Sequence, residues 1–211
     1  MEIIYLKEID STHNYLISQL KEKKLSPPVS VIADIQSLGV GSRGNSWISL
    51  EGNIFLSFAF DNSFLPKDLP MVSRSIYFSF LMKETLKEFG SDVWLKWPND
   101  FYIEDKKVGG TITRVFQNYT LSSMGINLKK APDGFEKLDI STDKFSIVKK
   151  FFINCELNNS WKEIFRKFQV EFERSKEFSF HEEDTKISMQ DALLNSDGSI
   201  TVNKKRIYNL R

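Results

Sequence analysis

The stretch that decides the fold runs from residue 93 to residue 128 and reads VWLKWPNDFYIEDKKVGGTITRVFQNYTLSSMGINL. Short runs of β-branched and aromatic residues alternate there with polar or glycine-bearing turns, a pattern typical of strands rather than helices. The turn at 104–106 is short enough to close a hairpin. We therefore predict successive strands of one sheet at 93–97, 101–103, 108–116 and 120–128.

Both helices and strands flank this stretch. Ser11 and Thr12 offer capping side chains to a helix that ends near residue 24, and Gly90 is placed as the C-terminal cap of a helix at 71–89. The mixture predicts an α+β protein with a mixed sheet. The other predicted elements are strands at 3–6, 29–35 and 53–60, helix within 142–178, and short strands within 186–211 around an Asp197-Gly198 turn.

Composition limits the classes of function. The 211 residues carry a net charge of +1, which argues against a general binder of nucleic acids or anionic membranes. Cys155 is the only cysteine, so the sequence holds neither a disulfide framework nor a cysteine metal cluster. His13 and His181 show no metal-ligand spacing, and we interpret both as ordinary surface or partly packed residues. Without a signal peptide or an apolar run of membrane-spanning length, we expect a cytoplasmic protein with no metal site.

The segment at 96–100, Lys-Trp-Pro-Asn-Asp, is the first candidate for a functional site. A strand end delivers Lys96, the proline stiffens the turn, and Asn99 and Asp100 project short polar side chains into one place. An ordinary turn is the alternative, because asparagine and aspartate are common in turns. Tryptophans on both sides of the lysine favour a site.

The loop at 36–47, QSLGVGSRGNSW, is the second candidate. Its closely spaced glycines let backbone N–H groups approach an anion, and Arg43 adds positive charge. The glycine spacing fits neither a dinucleotide-binding fingerprint nor a P-loop. A flexible surface loop is the alternative, and the glycines alone would favour it.

Two strands are interrupted by glycine. In 106–112, KKVGGTI, lysine precedes two glycines, which often mark the close approach of a ligand, although a β-bulge is the alternative. In 124–128, MGINL, a glycine and an amide interrupt a buried strand. Asn127 is therefore either a satisfied core amide or a reader of a nucleobase edge.

In this order, the four segments resemble the signature of biotin protein ligases, and 9–14, IDSTHN, is similar to the family's first biotin-contacting segment. The resemblance covers roughly 9–128. It implies an α+β fold like that of class II aminoacyl-tRNA synthetases, a mixed β-sheet with helices, plus a short C-terminal β element. We expect a catalytic biotin- and ATP-binding domain at 1–180 and a small, truncated β domain at 181–211.

The resemblance implies a reaction in two steps. The biotin carboxylate attacks the α-phosphate of ATP, which gives biotinyl-adenylate and pyrophosphate. A lysine of a biotin carboxyl carrier domain then attacks the mixed anhydride, and AMP leaves. ATP and biotin are substrates, with Mg²⁺ on the phosphates.

Site residues follow from the same resemblance. Lys107 and Arg43 would stabilise the phosphorus centre, and Asp100 is the candidate general base. Trp47 would help the glycine loop to close and exclude water. The biotin-binding residues implied are Ser11, Thr12, Gln36, Gly39, Val40 and Gly110, and those facing ATP or the adenylate are Trp47, Lys96, Asn99 and Asn127.

The sequence departs from the family pattern in the glycine loop. The family carries more arginine there, whereas this chain has Val40 and Ser42. We therefore expect the loop to bind the adenylate more weakly. No helix-turn-helix segment precedes the catalytic segments, and we expect no specific DNA binding. The oligomeric state is left open, including a homodimer.

Two functions other than that of a biotin protein ligase fit parts of the sequence. A lipoate or octanoate protein ligase shares the fold and the lysine acceptor but not the segment at 96–100 as written. A long apolar acyl pocket would favour it, whereas Gln36 and Ser11 favour biotin. A non-catalytic biotin or nucleotide sensor is the other alternative. The joint presence of four polar residues argues against it: Asn99, Asp100, Lys107 and Asn127.

Overall fold

The structure of the chain is a computed structural model that describes residues 1–182 and 185–208, without the side chains of Arg43 and Glu182. The helices are α1 (Thr12–Lys21), α2 (Arg74–Glu88), α3 (Lys144–Glu156) and α4 (Trp161–Ser175). The strands are β1 (Glu2–Ile9), β2 (Val29–Gln36), β3 (Gly39–Val40), β4 (Ser46–Trp47), β5 (Ile54–Asp61), β6 (Trp94–Lys96), β7 (Asp100–Ile103), β8 (Lys106–Val115), β9 (Tyr119–Ile126), β10 (Ser179–Glu182), β11 (Thr185–Ser188), β12 (Leu193–Leu194), β13 (Ile200–Val202) and β14 (Lys205–Ile207).

Seven strands form the main sheet in the order β1-β2-β5-β9-β8-β7-β6. Strands β1 and β2 are parallel, and every other neighbouring pair is antiparallel, so the sheet is mixed as predicted. The deciding stretch forms β6 to β9, an antiparallel meander. Its first hairpin turns at Glu104, whose φ of 50° lies in the left-handed region.

Successive residues of a strand point to opposite faces of the sheet, and helices pack against both faces. On one face, Ile54, Leu56 and Phe58 of β5 join a large core with α2, α3 and α4. On the other face, Ala59 and Leu121 pack under α1 in a smaller core. Helix α1 covers only part of this second face, and the functional cavity described below lies beside its N-terminal end.

The predicted helix at 142–178 is two helices. Helix α3 ends at Glu156, and the backbone then turns through Asn158, whose φ of 51° no helix can accommodate. Ser160 begins α4 with a capping box, in which its side chain and that of Glu163 bind each other's backbone N–H groups. The aromatic residues at helical spacing, Trp161 to Phe172, all belong to α4, so they predicted that helix and did not show the break before it.

The C-terminal strands form one two-stranded sheet, β10-β11, and one three-stranded sheet, β12-β13-β14. Phe180, Ile200 and Val202 belong to the same large core as α2 and α4. The indole N–H of Trp97 donates to the Gly198 carbonyl at 2.8 Å. The predicted domain boundary at residue 180 therefore falls inside a strand, and side chains from both sides of it pack together.

None of the described helices is long and apolar enough to cross a membrane.

Candidate functional site

A cavity of about 390 Å³ lies between the start of α1, the loop around β3 and β4, and the glycine-bearing ends of β8 and β9. It lies where strands β8 and β9 present glycine instead of a side chain, which leaves room on that face of the sheet. Its lining residues include Thr12, His13, Gln36, Val40, Ser42, Trp47, Asn99, Asp100, Lys107, Gly110, Ile112, Ser123, Gly125, Asn127, Pro132 and Phe135.

The structure brings most of the predicted site residues to this cavity. Ser11, Gly39 and Lys96 are outside its lining, and the side chain of Arg43 lies outside the described residues. The predicted residues that line it are Thr12, Gln36, Val40, Trp47, Asn99, Asp100, Lys107, Gly110 and Asn127. Five predicted segments between residues 9 and 128 therefore form one site.

Lys107 and Asp100 form the charged part of the wall. The Lys107 ammonium lies 2.7 Å from the Asp100 carboxylate, and both side chains are about a quarter exposed (28% and 25%). Gly110 faces them, since a Cβ added there would lie 3.0 Å from Asp100 Oδ1 and 3.5 Å from Lys107 Nζ. The absence of a side chain at Gly110 keeps the ion pair accessible from the cavity.

Trp47 covers the middle of the cavity. Strand β4 pairs with β3 and lays the indole directly on Gly125, where an added Cβ would be 2.5 Å from Trp47 Cε2. The indole Nε1 is buried and has no hydrogen-bond partner within the part of the chain that the structure describes. The close contact explains the glycine in the Met-Gly-Ile-Asn segment, because any side chain at Gly125 would displace the indole.

Ser11 and Gly39 support the site without lining it. The Ser11 hydroxyl caps α1 by accepting from the Asn14 N–H at 3.3 Å, which places Thr12 at the cavity. A Cβ at Gly39 would lie 2.5 Å from the Trp47 carbonyl oxygen, so only glycine allows β3 and β4 to pair this closely.

A chain of buried hydroxyl groups lies at the α1 end of the cavity. The Thr12 hydroxyl is 2.9 Å from Gln36 Oε1 and 2.8 Å from the Ser57 hydroxyl. The Ser57 hydroxyl is 2.7 Å from that of Ser123, which is 2.8 Å from His13 Nδ1. We call Thr12, Ser57 and Ser123 the hydroxyl relay, with Gln36 and His13 at its two ends.

His13 was misread from the sequence as an ordinary surface or partly packed residue. It is 2% exposed and lines the cavity. Burial lowers the pKa of its ring to about 4, because the imidazolium form loses its hydration there, and the nearby Arg114 acts in the same direction. Nothing in the local sequence marks the residue, since its partner Ser123 is 110 positions away.

Asn53 organises the opposite end of the cavity, and the sequence analysis missed it. Its side-chain oxygen accepts from the backbone N–H groups of Leu128, Lys129 and Lys130 at 3.0–3.1 Å. Its amide nitrogen lies 3.4 Å from the Asn127 side-chain oxygen. The Asn127 amide in turn donates to the Glu136 carbonyl at 3.0 Å.

The amide of Asn127 is therefore satisfied within the protein while the residue lines the cavity. The residue directs the segment that follows β9, which places Pro132 and Phe135 on the cavity wall. These hydrogen bonds agree with a satisfied amide at Asn127, and its role toward a nucleobase stays a prediction. The sequence analysis placed Asn53 only as the first residue of the predicted strand at 53–60 and gave its side chain no role.

Lys96 points away from the cavity. It is 9% exposed, and its ammonium donates to the Ser179 carbonyl at 3.2 Å between the rings of Tyr102 and Phe178. Burial lowers its pKa, and the Asp100 carboxylate opposes that change. The neighbouring Asn99 side chain donates to the Thr111 carbonyl and fixes the turn to β8.

Metal ligands are sparse around the cavity. Among the described residues, no three His, Cys, Asp or Glu side chains cluster closely enough to hold a metal ion. Asp100 is the one carboxylate in the described lining, and it is already paired with Lys107.

Comparison with known proteins identifies relatives of the chain. The sequence model of the family described as biotin/lipoate A/B protein ligases matches residues 5–130. The bifunctional ligase/repressor BirA of Escherichia coli is 34% identical over 115 residues, which cover 54% of this chain and 35% of that protein. The chain thus spans about a third of the length of the curated relative.

Two solved structures are similar over nearly the whole chain. The biotin acetyl coenzyme A carboxylase synthetase from Helicobacter pylori with bound biotinylated ATP has a TM-score of 0.94 and 38% identity, and the match covers 98% of this chain and 99% of that one. The biotin protein ligase from Aquifex aeolicus in complex with biotin and ATP has a TM-score of 0.77 at 22% identity, covering 100% and 96%. The predicted α+β fold of the class II synthetase type and the resemblance to biotin protein ligases are confirmed.

Proposed function

Because the chain belongs to the biotin/lipoate A/B protein ligase family, we propose that it activates biotin with ATP and transfers the biotinyl group to a carrier lysine. The observation that carries the proposal is the pairing of two unlike ends in one cavity. The Thr12 and Gln36 side chains supply neutral hydrogen-bonding groups at one end, and the Lys107–Asp100 ion pair supplies charge at the other. Biotin has the same polarity, with a neutral ureido ring at one end and a carboxylate at the other.

In the first step, Lys107 neutralises the two anions that must meet. Its ammonium would bind between the biotin carboxylate and the α-phosphate and stabilise the charge that develops on the phosphorus centre. Asp100 holds the ammonium in place at 2.7 Å until the substrates bind. Arg43 is proposed to act beside it, from the loop that also carries Val40.

In the second step, a carrier lysine must reach the anhydride as a free amine. Asp100 lies on the cavity wall and would orient the incoming ammonium and accept its proton. Trp47 would hold water away from the anhydride, since its indole already lies across Gly125. The name of the Helicobacter pylori relative suggests acetyl-CoA carboxylase as the source of the carrier domain.

The remaining predicted residues act less directly in this proposal. Ser11 and Gly39 shape the biotin end through the cap of α1 and the pairing of β3 with β4. Asn99 and Asn127 fix the two segments that would face the adenylate. Lys96 contributes positive charge from behind the wall.

Magnesium is proposed to enter as part of the Mg–ATP substrate. Mg²⁺ in such sites is commonly held by substrate phosphates with one or two carboxylates. Asp100 is the carboxylate available in the described lining, which fits a metal carried by the nucleotide rather than by the protein.

Biotin-dependent exchange of pyrophosphate into ATP tests the proposal, with lipoate and octanoate as controls. We expect exchange with biotin alone, because the Thr12–Gln36 end offers hydrogen bonds that the apolar rings and chains of the controls cannot use. Exchange that is faster with lipoate or octanoate would show a ligase of the other branch of the family. Biotin binding without exchange would show a sensor instead of an enzyme.

A further inference from the structure

Residues 128–138 follow β9 and carry Pro132 and Phe135 to the cavity wall. We call them the wall segment. The segment forms neither helix nor strand, so no ladder of backbone hydrogen bonds fixes its shape. Two asparagine side chains bind its backbone instead, Asn53 at its start and Asn127 near its end. The position of this part of the wall therefore depends on side-chain contacts.

Asn53 holds the start of the wall segment. Its side-chain oxygen accepts from three successive backbone N–H groups, those of residues 128–130, at 3.0–3.1 Å. Because a backbone N–H can only donate, this contact fixes which end of the amide is the oxygen. The NH₂ group then faces the Lys130 carbonyl and donates to it at 2.8 Å. One fully buried side chain thus makes four hydrogen bonds to three consecutive residues.

The end of the wall segment is held through Asn127. The NH₂ group of Asn53 lies 3.4 Å from the Asn127 side-chain oxygen, which leaves the NH₂ group of Asn127 to donate to the Glu136 carbonyl at 3.0 Å. The backbone carbonyl of Asn127 also accepts from the Leu138 N–H at 2.8 Å. The Glu136 N–H donates to the Lys107 carbonyl at 3.0 Å. One network therefore joins both ends of the segment to the lysine proposed to neutralise the phosphate.

We propose that Asn53 is a positioning residue for the nucleotide, which holds the wall segment in place so that ATP meets a preformed surface at that end of the cavity. This inference rests on the proposed function, because ATP is the substrate assigned to that end. Asn53 is fully buried and outside the cavity lining, so it acts only through the residues that it binds. None of its hydrogen bonds within the described part of the chain reaches Thr12 or Gln36. Loss of the side chain should therefore affect ATP and not biotin.

The main test compares Asn53→Ala with Asn154→Ala in pyrophosphate exchange. Asn154 is also a buried asparagine, and its NH₂ group donates to Thr85 and Glu88 at 3.0 and 2.7 Å, outside the cavity lining. Loss of the contacts that hold the wall segment should raise the KM for ATP about five- to thirtyfold in Asn53→Ala only. The KM for biotin should stay at the wild-type value in both variants. Equal rises in the two KM values of Asn53→Ala would overturn the proposal.

Asn53→Asp is the second variant, and it keeps the proposal testable if three unsatisfied N–H groups prevent Asn53→Ala from folding. A carboxylate still accepts from those three N–H groups but cannot donate to Lys130 or Asn127. Its KM for ATP should rise only about two- to fivefold, and its KM for biotin should not change. A KM for ATP at or above that of Asn53→Ala would contradict the role of Asn53 as acceptor. Equal rises in both KM values would contradict a role at the nucleotide end.

Phe135 tests whether Asn53 acts through the wall segment. Its side chain is 39% exposed, so Phe135→Ala leaves the core intact. This variant should raise the KM for ATP by itself. The double variant with Asn53→Ala should show less than the product of the two single effects, because a displaced segment no longer brings the ring to the wall. Effects that multiply fully would show that Asn53 acts by another route.

Calorimetric titration separates this proposal from the proposed function. The probe is α,β-methylene ATP in the presence of biotin, since its bond to the pyrophosphate group cannot break. If the wild type binds the probe but catalyses no pyrophosphate exchange, the proposed function fails, and the role of Asn53 is still judged by the Kd of Asn53→Ala against Asn154→Ala. We expect a Kd about five- to thirtyfold higher in Asn53→Ala only. Equal Kd values in the wild type and Asn53→Ala would overturn the inference, and a wild type that does not bind the probe would overturn both proposals.

Discussion

Among single residues, Lys107 has the largest electrostatic role in the proposed reaction. Its ammonium is the one lysine charge on the described cavity wall, and its carboxylate partner is a quarter exposed, so the pair can open when an anionic substrate arrives. An ion pair at this depth contributes little to stability, since solvent screens it. Its proposed contribution is to the transition state.

We therefore expect Lys107→Ala to lower pyrophosphate exchange strongly without loss of the fold. Removal of one donor to a developing anion costs about 2–4 kcal/mol, which corresponds to a rate roughly 30- to 1,000-fold lower. Lys106→Ala is the matched control, because that neighbouring side chain is 60% exposed and points away from the cavity lining. Near-normal exchange by Lys107→Ala would show that another group binds the phosphate.

His13 gives stability a dependence on pH. Its pKa is lowered from 6.5 to about 4 in the folded protein, so below pH 6.5 the unfolded chain binds the proton more readily. The contribution of the neutral ring is complete above that pH and is lost as the pH falls toward 4. The unfolding free energy of the wild type should fall between pH 7 and pH 4.5, and His13 should account for about 2–3 kcal/mol of that fall. His13→Asn should lack this part of the fall.

Urea unfolding at the two pH values measures this difference. His181→Asn is the control, because that side chain is exposed. Identical pH dependence in the wild type and His13→Asn would show that the ring does not titrate with folding.

In the proposed reaction, retention of the adenylate would depend on the β3–β4 hairpin. It brings Trp47 over Gly125 and places Val40 and Ser42 on the cavity wall. Valine offers the phosphate no side-chain hydrogen bond, and serine offers one neutral bond. A charge-assisted bond from arginine is worth roughly 1.5–3 kcal/mol.

We expect Ser42→Arg to release biotinyl-adenylate about ten- to a hundredfold more slowly than the wild type. Released anhydride labels exposed lysines, so biotin and ATP are incubated with an inert lysine-rich protein and its labelling is compared. Leu38→Arg adds the same charge to the same loop outside the cavity lining, where the side chain is 67% exposed. Equal labelling of the lysine-rich protein by wild type and Ser42→Arg would contradict the prediction that the wild-type loop binds the adenylate weakly.

Across the whole molecule, the C-terminal strands are held by the same core that supports the site. Trp97 and Trp161 donate their indole N–H groups to the carbonyls of Gly198 and Ser196, each at 2.8 Å. Trp97 belongs to the turn that carries Asn99 and Asp100. The C-terminal turn therefore supports the site from behind.

Gly198→Ala tests this packing. The residue has a φ of 77°, and an added Cβ would lie 2.6 Å from Ile76 Cδ1 in the core. Gly134→Ala is the matched control, since its φ of 81° gives similar backbone strain with nothing within 4 Å. Gly198→Ala should lower the unfolding free energy by about 1–3 kcal/mol more than Gly134→Ala. Equal losses would mean that the C-terminal turn packs loosely.

Local sequence predicted most of the elements because their signals are local. Short runs of β-branched and aromatic residues predicted β6 to β9. Gly90 predicted the end of α2. The clearest error was the single helix at 142–178, because aromatic spacing is the same in one helix or two. The left-handed Asn158 that separates α3 from α4 is followed by the capping-box residues Ser160 and Glu163, a local signal that the prediction did not use.

The sequence alone pointed to residues that mostly line the cavity, since glycine in a strand often marks a close approach and Lys107 and Asp100 lie in recognisable segments. Tertiary structure decided which polar groups cooperate. His13 and Ser123 are 110 positions apart, and Asn53 and Asn127 are 74 apart, yet each pair is within hydrogen-bonding distance. Such partners meet because antiparallel pairing and the docking of α1 bring distant side chains to one face, and no local pattern records that geometry.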